Sequence, residues 1–293
     1  MATNKALRLK NSMKEDIVVM PGVFNPLTAK LAEKIGFQAL YVSGAALHQS
    51  QGLPDTGGLY SSKNGEKYIF RPAKYLEMTI DIIKATDLPT IVDIDTGFGY
   101  LKNLQKAVKR LEEAGAAGVQ IEDQQFPKKC GHLDEKKIIS VKEIIRKIKT
   151  IVNARKNPDF LIVARTDARC FGHIIHAANR TIAYKDAGAD IIFPEALETK
   201  EEFKFFYELY KPHWDNPLFI ANMTEFGKTP YLTAQEFRKM GYSAVIFPVS
   251  AMRIAMKAME DFFKRLKETG TQKDLIDKMQ TRRELYNLIG YKP

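Results

Sequence analysis

Thr90-Ile91-Val92-Asp93-Ile94-Asp95 decides how the chain folds: a short β-branched run breaks off in acidic side chains. A run of that length bounded by turn formers fits a strand buried on both faces. The same figure recurs on either side. Before it, Ile17-Val18-Val19-Met20 closes at Pro21-Gly22, and Ala39-Leu40-Tyr41-Val42 closes at Ser43-Gly44. After it, Val119-Gln120-Ile121 ends in Glu122-Asp123, and Leu161-Ile162-Val163-Ala164 ends in Arg165-Thr166-Asp167. Ile191-Ile192-Phe193 ends in Pro194-Glu195, residues 218–221 run into Asn222-Met223-Thr224, and 244–247 into Pro248-Val249-Ser250.

Helical stretches separate most of these strands. Asn25-Pro26 opens one with Leu27, Leu31 and Ile35 on one face, stopped by Gly36. Ala114-Gly115-Ala116, Ala187-Gly188-Ala189 and Met240-Gly241-Tyr242 are helix stops placed just before the next strand. Eight strand–helix units fit the roughly 250 residues of a (β/α)8 TIM-type barrel, here residues 1–250. The phosphate-binding glycine fingerprint of an open dinucleotide sheet is missing. Beyond Ala251 the chain is helical. Met252, Ala255, Met256, Met259, Phe262 and Phe263 form an apolar stripe that reads as core packing rather than a cofactor site. A further amphipathic segment, 274–289, exceeds what a barrel needs. Residues 251–293 are therefore expected to form a C-terminal helical extension that packs partly on another subunit.

Composition narrows the class. The 293 residues are 45% hydrophobic and 27% charged, as in an ordinary globular protein. The longest apolar runs fall far short of the roughly 20 residues of a membrane span. Residues 1–14 are polar and basic, a mobile start rather than a secretory signal. Two cysteines, Cys130 and Cys170, make no disulfide framework, and a cytoplasmic location follows. The net charge of +10 is dispersed along helices beside acids, which speaks for solvated faces, against nucleic acid, and in part for an anionic substrate.

A barrel of this kind carries its active site at the C-terminal ends of its strands. Here those ends hold acids on the third and fourth strands, Arg165 on the fifth, Glu195 on the sixth and Asn222 on the seventh. Asp93 and Asp95 stand two apart, so on a regular strand both carboxylates point to one side. With Glu122, and with Asp55 from the loop after strand two, they form an all-oxygen cluster suited to Mg²⁺ or Mn²⁺. The plainer role for Asp95 is capping the Thr96–Gly99 turn. Lys128-Lys129-Cys130-Gly131-His132 sets a thiol among cationic or titratable neighbours, which predicts a more acidic cysteine. The plainer alternative is an exposed basic loop that happens to hold a cysteine. Metal, arginine clamp and thiol together suit a small di- or tricarboxylate.

At these residues the chain resembles the isocitrate lyase and phosphoenolpyruvate mutase superfamily, within it the 2-methylisocitrate lyases. The resemblance covers almost the whole length, through Tyr41-Val42-Ser43-Gly44, Asp93–Gly99, Lys128–His132, Ala164–Ala168, Asn222–Gly227, Pro248–Arg253 and Thr281–Tyr286. It implies Mg²⁺-dependent cleavage of 2-methylisocitrate to pyruvate and succinate by a homotetramer with exchanged C-terminal helices. Cys130 would protonate the succinate carbanion and Tyr41 would deprotonate the hydroxyl. His132 and Lys128 would tune the cysteine. Asp93 would be the nearest metal ligand, with Asp55, Asp95 and Glu122 acting through water. Ser43, Gly44, Gly131, Arg165, Glu195, Asn222, Thr224, Arg253 and Arg282 match substrate-contact positions. Ala45 departs from a usual glycine, and Leu59 to Arg71 looks inserted at the catalytic end. Competing readings are isocitrate cleavage, one methyl away, and a non-catalytic RNA-binding or assembly barrel.

Overall fold

The computed structural model describes residues 4–56, 59–61, 67–69, 71–172, 174–212 and 214–292. The basic N-terminal segment expected to be mobile is helix α1 (Lys5–Glu15), capped by Asn4. It buries Ala6, Leu9 and Met13 in one cluster with the inward side chains of the barrel, and so plugs one end of it. Next come β1 (Val18–Val23), α2 (Pro26–Ile35), β2 (Leu40–Val42) and α3 (Gly44–Ser50). The inserted stretch contains an antiparallel hairpin, β3 (Leu59–Ser61) and β4 (Lys67–Ile69); its Phe70 lies outside the described residues. Then follow α4 (Pro72–Lys84), β5 (Thr90–Asp93), α5 (Leu101–Glu113), β6 (Gly118–Glu122), α6 (Val141–Ala154) and β7 (Leu161–Thr166). After them come α7 (Ile174–Asp186), β8 (Ile191–Pro194), α8 (Lys200–Tyr210), β9 (Ile220–Asn222), α9 (Ala234–Lys239) and β10 (Ala244–Phe247). The helices α10 (Ser250–Thr269) and α11 (Arg282–Ile289) end the chain.

The eight long-range strands pair in parallel in the order β8-β7-β6-β5-β2-β1-β10-β9, and an Ile192–Phe219 bridge rounds the sheet into the expected barrel. Alternation explains the two buried layers. Met20, Ile91, Val163 and Ile246 fill the barrel, while Val92, Ile121, Ile162 and Val245 pack under the helices. Each such side chain contributes about 1.5–3 kcal/mol by leaving water. No helix among the described residues is long and apolar enough to cross a membrane.

Two apolar faces differ from the sequence reading. On α2 the buried residues are Ala29 and Ala32, while Leu27 and Ile35 are exposed. Small alanines let that helix sit close to the sheet. On α10 only Met252 is buried. Met256, Met259 and Phe263 stand exposed, so the stripe is not core of this chain.

Candidate active site

The strand ends deliver a floor of carboxylates. β5 stops at Asp93, and the next residues turn back so that Asp95 adopts a left-handed φ of 49°. The two acids therefore meet through a turn, not through strand alternation. Asp93 Oδ1 accepts from the Asp95 backbone N–H at 2.9 Å, and Tyr75 donates its hydroxyl to the Asp93 carbonyl oxygen. Glu122, last in β6, joins them. Ligand oxygens of Asp93, Asp95 and Glu122 lie within 4.8 Å of one another, and all three residues are buried. Gly44 fits against this floor because it has no side chain. Its N–H reaches Asp93 Oδ2 at 3.3 Å, and a Cβ there would stand 3.0 Å from carboxylate oxygens of both Asp93 and Asp95.

Lys128 enters this cluster and pairs with Asp55 at 2.5 Å and Asp95 at 2.8 Å. Burial works against its ammonium, but the surrounding carboxylates prevail and push its pKa well up. The lysine is thus a counter-ion of the acids, and it links Asp55 to Asp95 of the triad. Asp93 is still pushed up to about 7, by burial and then by Asp95. Burial raises Glu122 as well, and neither of its oxygens has a hydrogen-bond partner among the described residues. Six carboxylates (Asp55, Asp93, Asp95, Glu122, Asp167, Glu195) face three permanent cations, Lys128, Lys136 and Arg165. A buried, all-oxygen, electron-rich group with orphaned lone pairs fits a hard divalent cation.

Arg165 and Glu195 form the opposite wall. Arg165 holds Asp167 with two hydrogen bonds of 3.0 and 3.1 Å and reaches Glu195 at 3.2 Å and Glu122 at 3.5 Å. Asn222 donates to Glu195 at 3.2 Å, and His132 Nε2 lies 2.9 Å from it. The Lys228 backbone N–H donates to His132 Nδ1 at 2.9 Å, which leaves Nε2 as the protonated nitrogen facing Glu195. Burial opposes ionisation of Glu195, but Arg165 and His132 outweigh it and hold the carboxyl well below the usual range.

Cys130 sits between these walls on the loop after β6. Burial opposes the acidic thiol expected from its neighbours. Burial pushes the thiol up, Lys128 is spent on carboxylates, and Lys129 points outward to Glu135. Gly131 passes so close to Arg165 and Glu195 that a Cβ would overlap both. Tyr41, expected as the base, lines the same cleft as Cys130. Its phenol donates to Gln120 Oε1, and burial followed by Asp93 raises its pKa well above the ordinary value.

One cleft of about 550 Å³, mouth included, is lined by Tyr41, Ser43, Asp55, Asp93, Lys128, Cys130, Gly131, His132, Arg165, Glu195, Asn222, Thr224 and Arg253. Gly44, Asp95 and Glu122 lie behind this lining. Arg282 is not brought in: it heads α11, exposed, and does not line the cleft. Sequence reasoning missed Lys136, which pairs with Asp167 at 2.9 Å, and Gln120. It also missed Asp123, which is buried and bonded to Thr166, Arg180 and Tyr184. The only signal was that Asp123 follows Glu122, and alternation turns it away from the floor.

Fold and site together define a (β/α)8 barrel with a buried acidic cluster that could hold a cation at the C-terminal ends of its strands. The profile described as phosphoenolpyruvate phosphomutase matches residues 9–267, and the chain belongs to that family. A 2-methylisocitrate lyase of Aeropyrum pernix is 50% identical over 278 residues, 95% of this chain and 84% of that protein. The crystal structure of 2,3-dimethylmalate lyase, a PEP mutase/isocitrate lyase superfamily member, superposes with a TM-score of 0.85 at 30% identity. It covers 99% of this chain and 91% of that one. Phosphonopyruvate hydrolase in complex with oxalate and Mg²⁺ gives 0.83 at 29% identity, over 99% and 95% of the two chains.

Proposed function

We propose that this chain is a carbon–carbon lyase that cleaves 2-methylisocitrate to pyruvate and succinate. The observation that carries the reading is a thiol, Cys130, in the cleft that Asp93 lines, with Asp95 and Glu122 completing the acidic triad just behind it. The curated relative at 50% identity supports the substrate. Asp93, Asp95 and Glu122 would hold Mg²⁺, as the Mg²⁺-bound relative supports, and the ion would stabilise developing enolate charge.

The chain's own residues supply the rest. The tertiary hydroxyl gives its proton to Tyr41, which lines the cleft and acts in this step as the phenolate; the pyruvate carbonyl forms, and the electron pair of the broken C–C bond passes into the succinate half. Cys130 gives its proton to that carbon, and the proton held by Tyr41 passes back to the thiolate through solvent, so charge and atoms balance. Arg165 and Asn222 are already engaged with Glu195, so a substrate carboxylate meets a wall of fixed orientation, not a free clamp. Ser43 caps α3 with its Oγ, accepting from Ala46 N–H at 3.2 Å, and so fixes the turn that carries Gly44. Purified enzyme with Mg²⁺ should release pyruvate from 2-methylisocitrate faster than glyoxylate from isocitrate, or pyruvate from 2,3-dimethylmalate. A coupled dehydrogenase assay reads all three. Preference for either competitor reassigns the substrate.

Assembly belongs to the same reading. Ile254, Met256, Met259 and Phe263 expose an apolar stripe along α10 that water disfavours. We infer a homotetramer in which residues 251–293 pack on a neighbour, in the cytoplasm where Cys130 and Cys170 stay unpaired. Removing residues 271–293 should shift the mass in light scattering to smaller species and lower the thermal midpoint. An unchanged mass and midpoint would refute that arrangement.

A further inference from the structure

The loop that presents Cys130 is held from two sides by buried ammonium groups. Its base is pinned where Gln125 N–H donates to the Lys137 carbonyl at 2.7 Å and Ile139 N–H donates to the Asp123 carbonyl at 2.9 Å. Inside the loop, the Gln124 side chain clasps Lys129 at its N–H, 3.0 Å, and its carbonyl, 2.9 Å. Lys128 reaches one way, into Asp55 and Asp95. Lys136 reaches the other way. Its ammonium donates to the Gly131 carbonyl oxygen, next to Cys130, and to Asp167 Oδ1 at 2.9 Å, with its side chain 1% exposed.

Asp167 is a fixed anchor. Its own N–H donates to Asp123 Oδ1 at 2.9 Å, and both its oxygens grip Arg165. Asp123 is in turn locked by Thr166, Arg180 and Tyr184. Lys136 therefore links the peptide beside the thiol to the carboxylate that orients Arg165. A lysine suits the place. Its donors radiate from a point on a flexible stem and serve a carbonyl and a carboxylate in different directions, whereas a planar guanidinium serves one plane.

We propose that Lys136 is a positioning residue that sets the Cys130 thiol by tethering Gly131 to Asp167; this deepens the lyase reading and rests on it. Gly131 has no clearance against Arg165 and Glu195, so releasing its carbonyl displaces the thiol relative to both. A displacement near 1 Å costs roughly 100-fold in turnover.

The test uses full-length Cys170→Ser protein, in which Cys130 is the sole thiol, with Lys136→Met and Lys136→Arg added. It reads kcat, KM, thermal unfolding and the rate of Cys130 modification by iodoacetamide, with and without Mg²⁺ plus succinate. Lys136→Met is expected to fold and lose about 100-fold in kcat with a smaller change in KM. Its Cys130 should be modified about tenfold faster than with Lys136 present, because local opening is easier, and succinate should no longer protect it. Lys136→Arg should restore part of the protection. Folded Lys136→Met with unchanged modification rate overturns the proposal, whatever its kcat. Failure of both variants to fold makes Lys136 a general strut and overturns it equally. A parent enzyme inactive on 2-methylisocitrate would defeat the lyase reading, while the modification rates would still judge the tether.

Discussion

Asp93→Ala should abolish turnover, by about a thousandfold or more, the scale on which a preorganised electrostatic stabiliser contributes. It should do so without unfolding the protein. Asp93 is 4% exposed at the end of β5, beside Asp95 and Glu122, in a floor where acids outnumber cations. Without a bound cation those carboxylates repel one another, so removing one relieves the metal-free protein. The variant is therefore expected to be at least as stable as wild type in EDTA. Mg²⁺ should separate the two proteins. At about 100 times its Kd a ligand stabilises the folded state by about 2.7 kcal/mol, which raises a melting midpoint by several degrees. Wild type should show that rise and Asp93→Ala should not. Full turnover of wild type in rigorously metal-free buffer, or a Mg²⁺-induced rise retained in Asp93→Ala, would remove the triad from the reaction.

The fold was legible because most barrel strands are apolar runs that stop at a polar residue, where the chain turns toward a helix. Thr90–Asp93 and Leu161–Thr166 announce themselves in that way. Helix faces were less legible. Leu27 and Ile35 on α2 carry the hydrophobic signal, yet Ala29 and Ala32 make the contact, because closeness to the sheet favours small residues. The stripe on α10 has core periodicity, yet Met256, Met259 and Phe263 stay exposed among the described residues.

Within the site, residue types were readable and partnerships were not. Lys128 and Cys130 are two apart and line one cleft, but the sequence does not show that the ammonium pairs with Asp55 and Asp95. The surplus of positive charge over the whole chain says nothing of the cleft floor, where the balance is negative. Arg282 matched a contact position, yet α11 leaves it outside the cleft of its own chain. Lys136 was invisible among the neighbouring lysines, because only the folded loop shows that its side chain turns inward to Asp167.

Cys130→Ser should fold, bind Mg²⁺ and succinate, and lose turnover by about 10²–10⁴-fold, the contribution of a positioned general acid. The thiol's burial is the reason for expecting an acid rather than a nucleophile. Desolvation pushes its pKa up, Asp55 and Glu195 add to that, and the His132 backbone N–H and Arg165 only partly oppose them. At neutral pH the group therefore holds its proton, as a donor to carbon must. A serine hydroxyl in the same place is a far weaker acid and cannot deliver that proton at a comparable rate. Two pH dependences of opposite sign follow. Alkylation of Cys130 needs the thiolate, so its rate should keep climbing through and beyond the ordinary thiol value of about 8.5. Turnover needs the thiol, so its alkaline limb should fall over that same range. Matching midpoints in the two profiles, measured on Cys170→Ser protein, would tie both to one group. An alkylation rate that levels off below pH 8, or near-normal turnover in Cys130→Ser, would leave the loop without a proton to give.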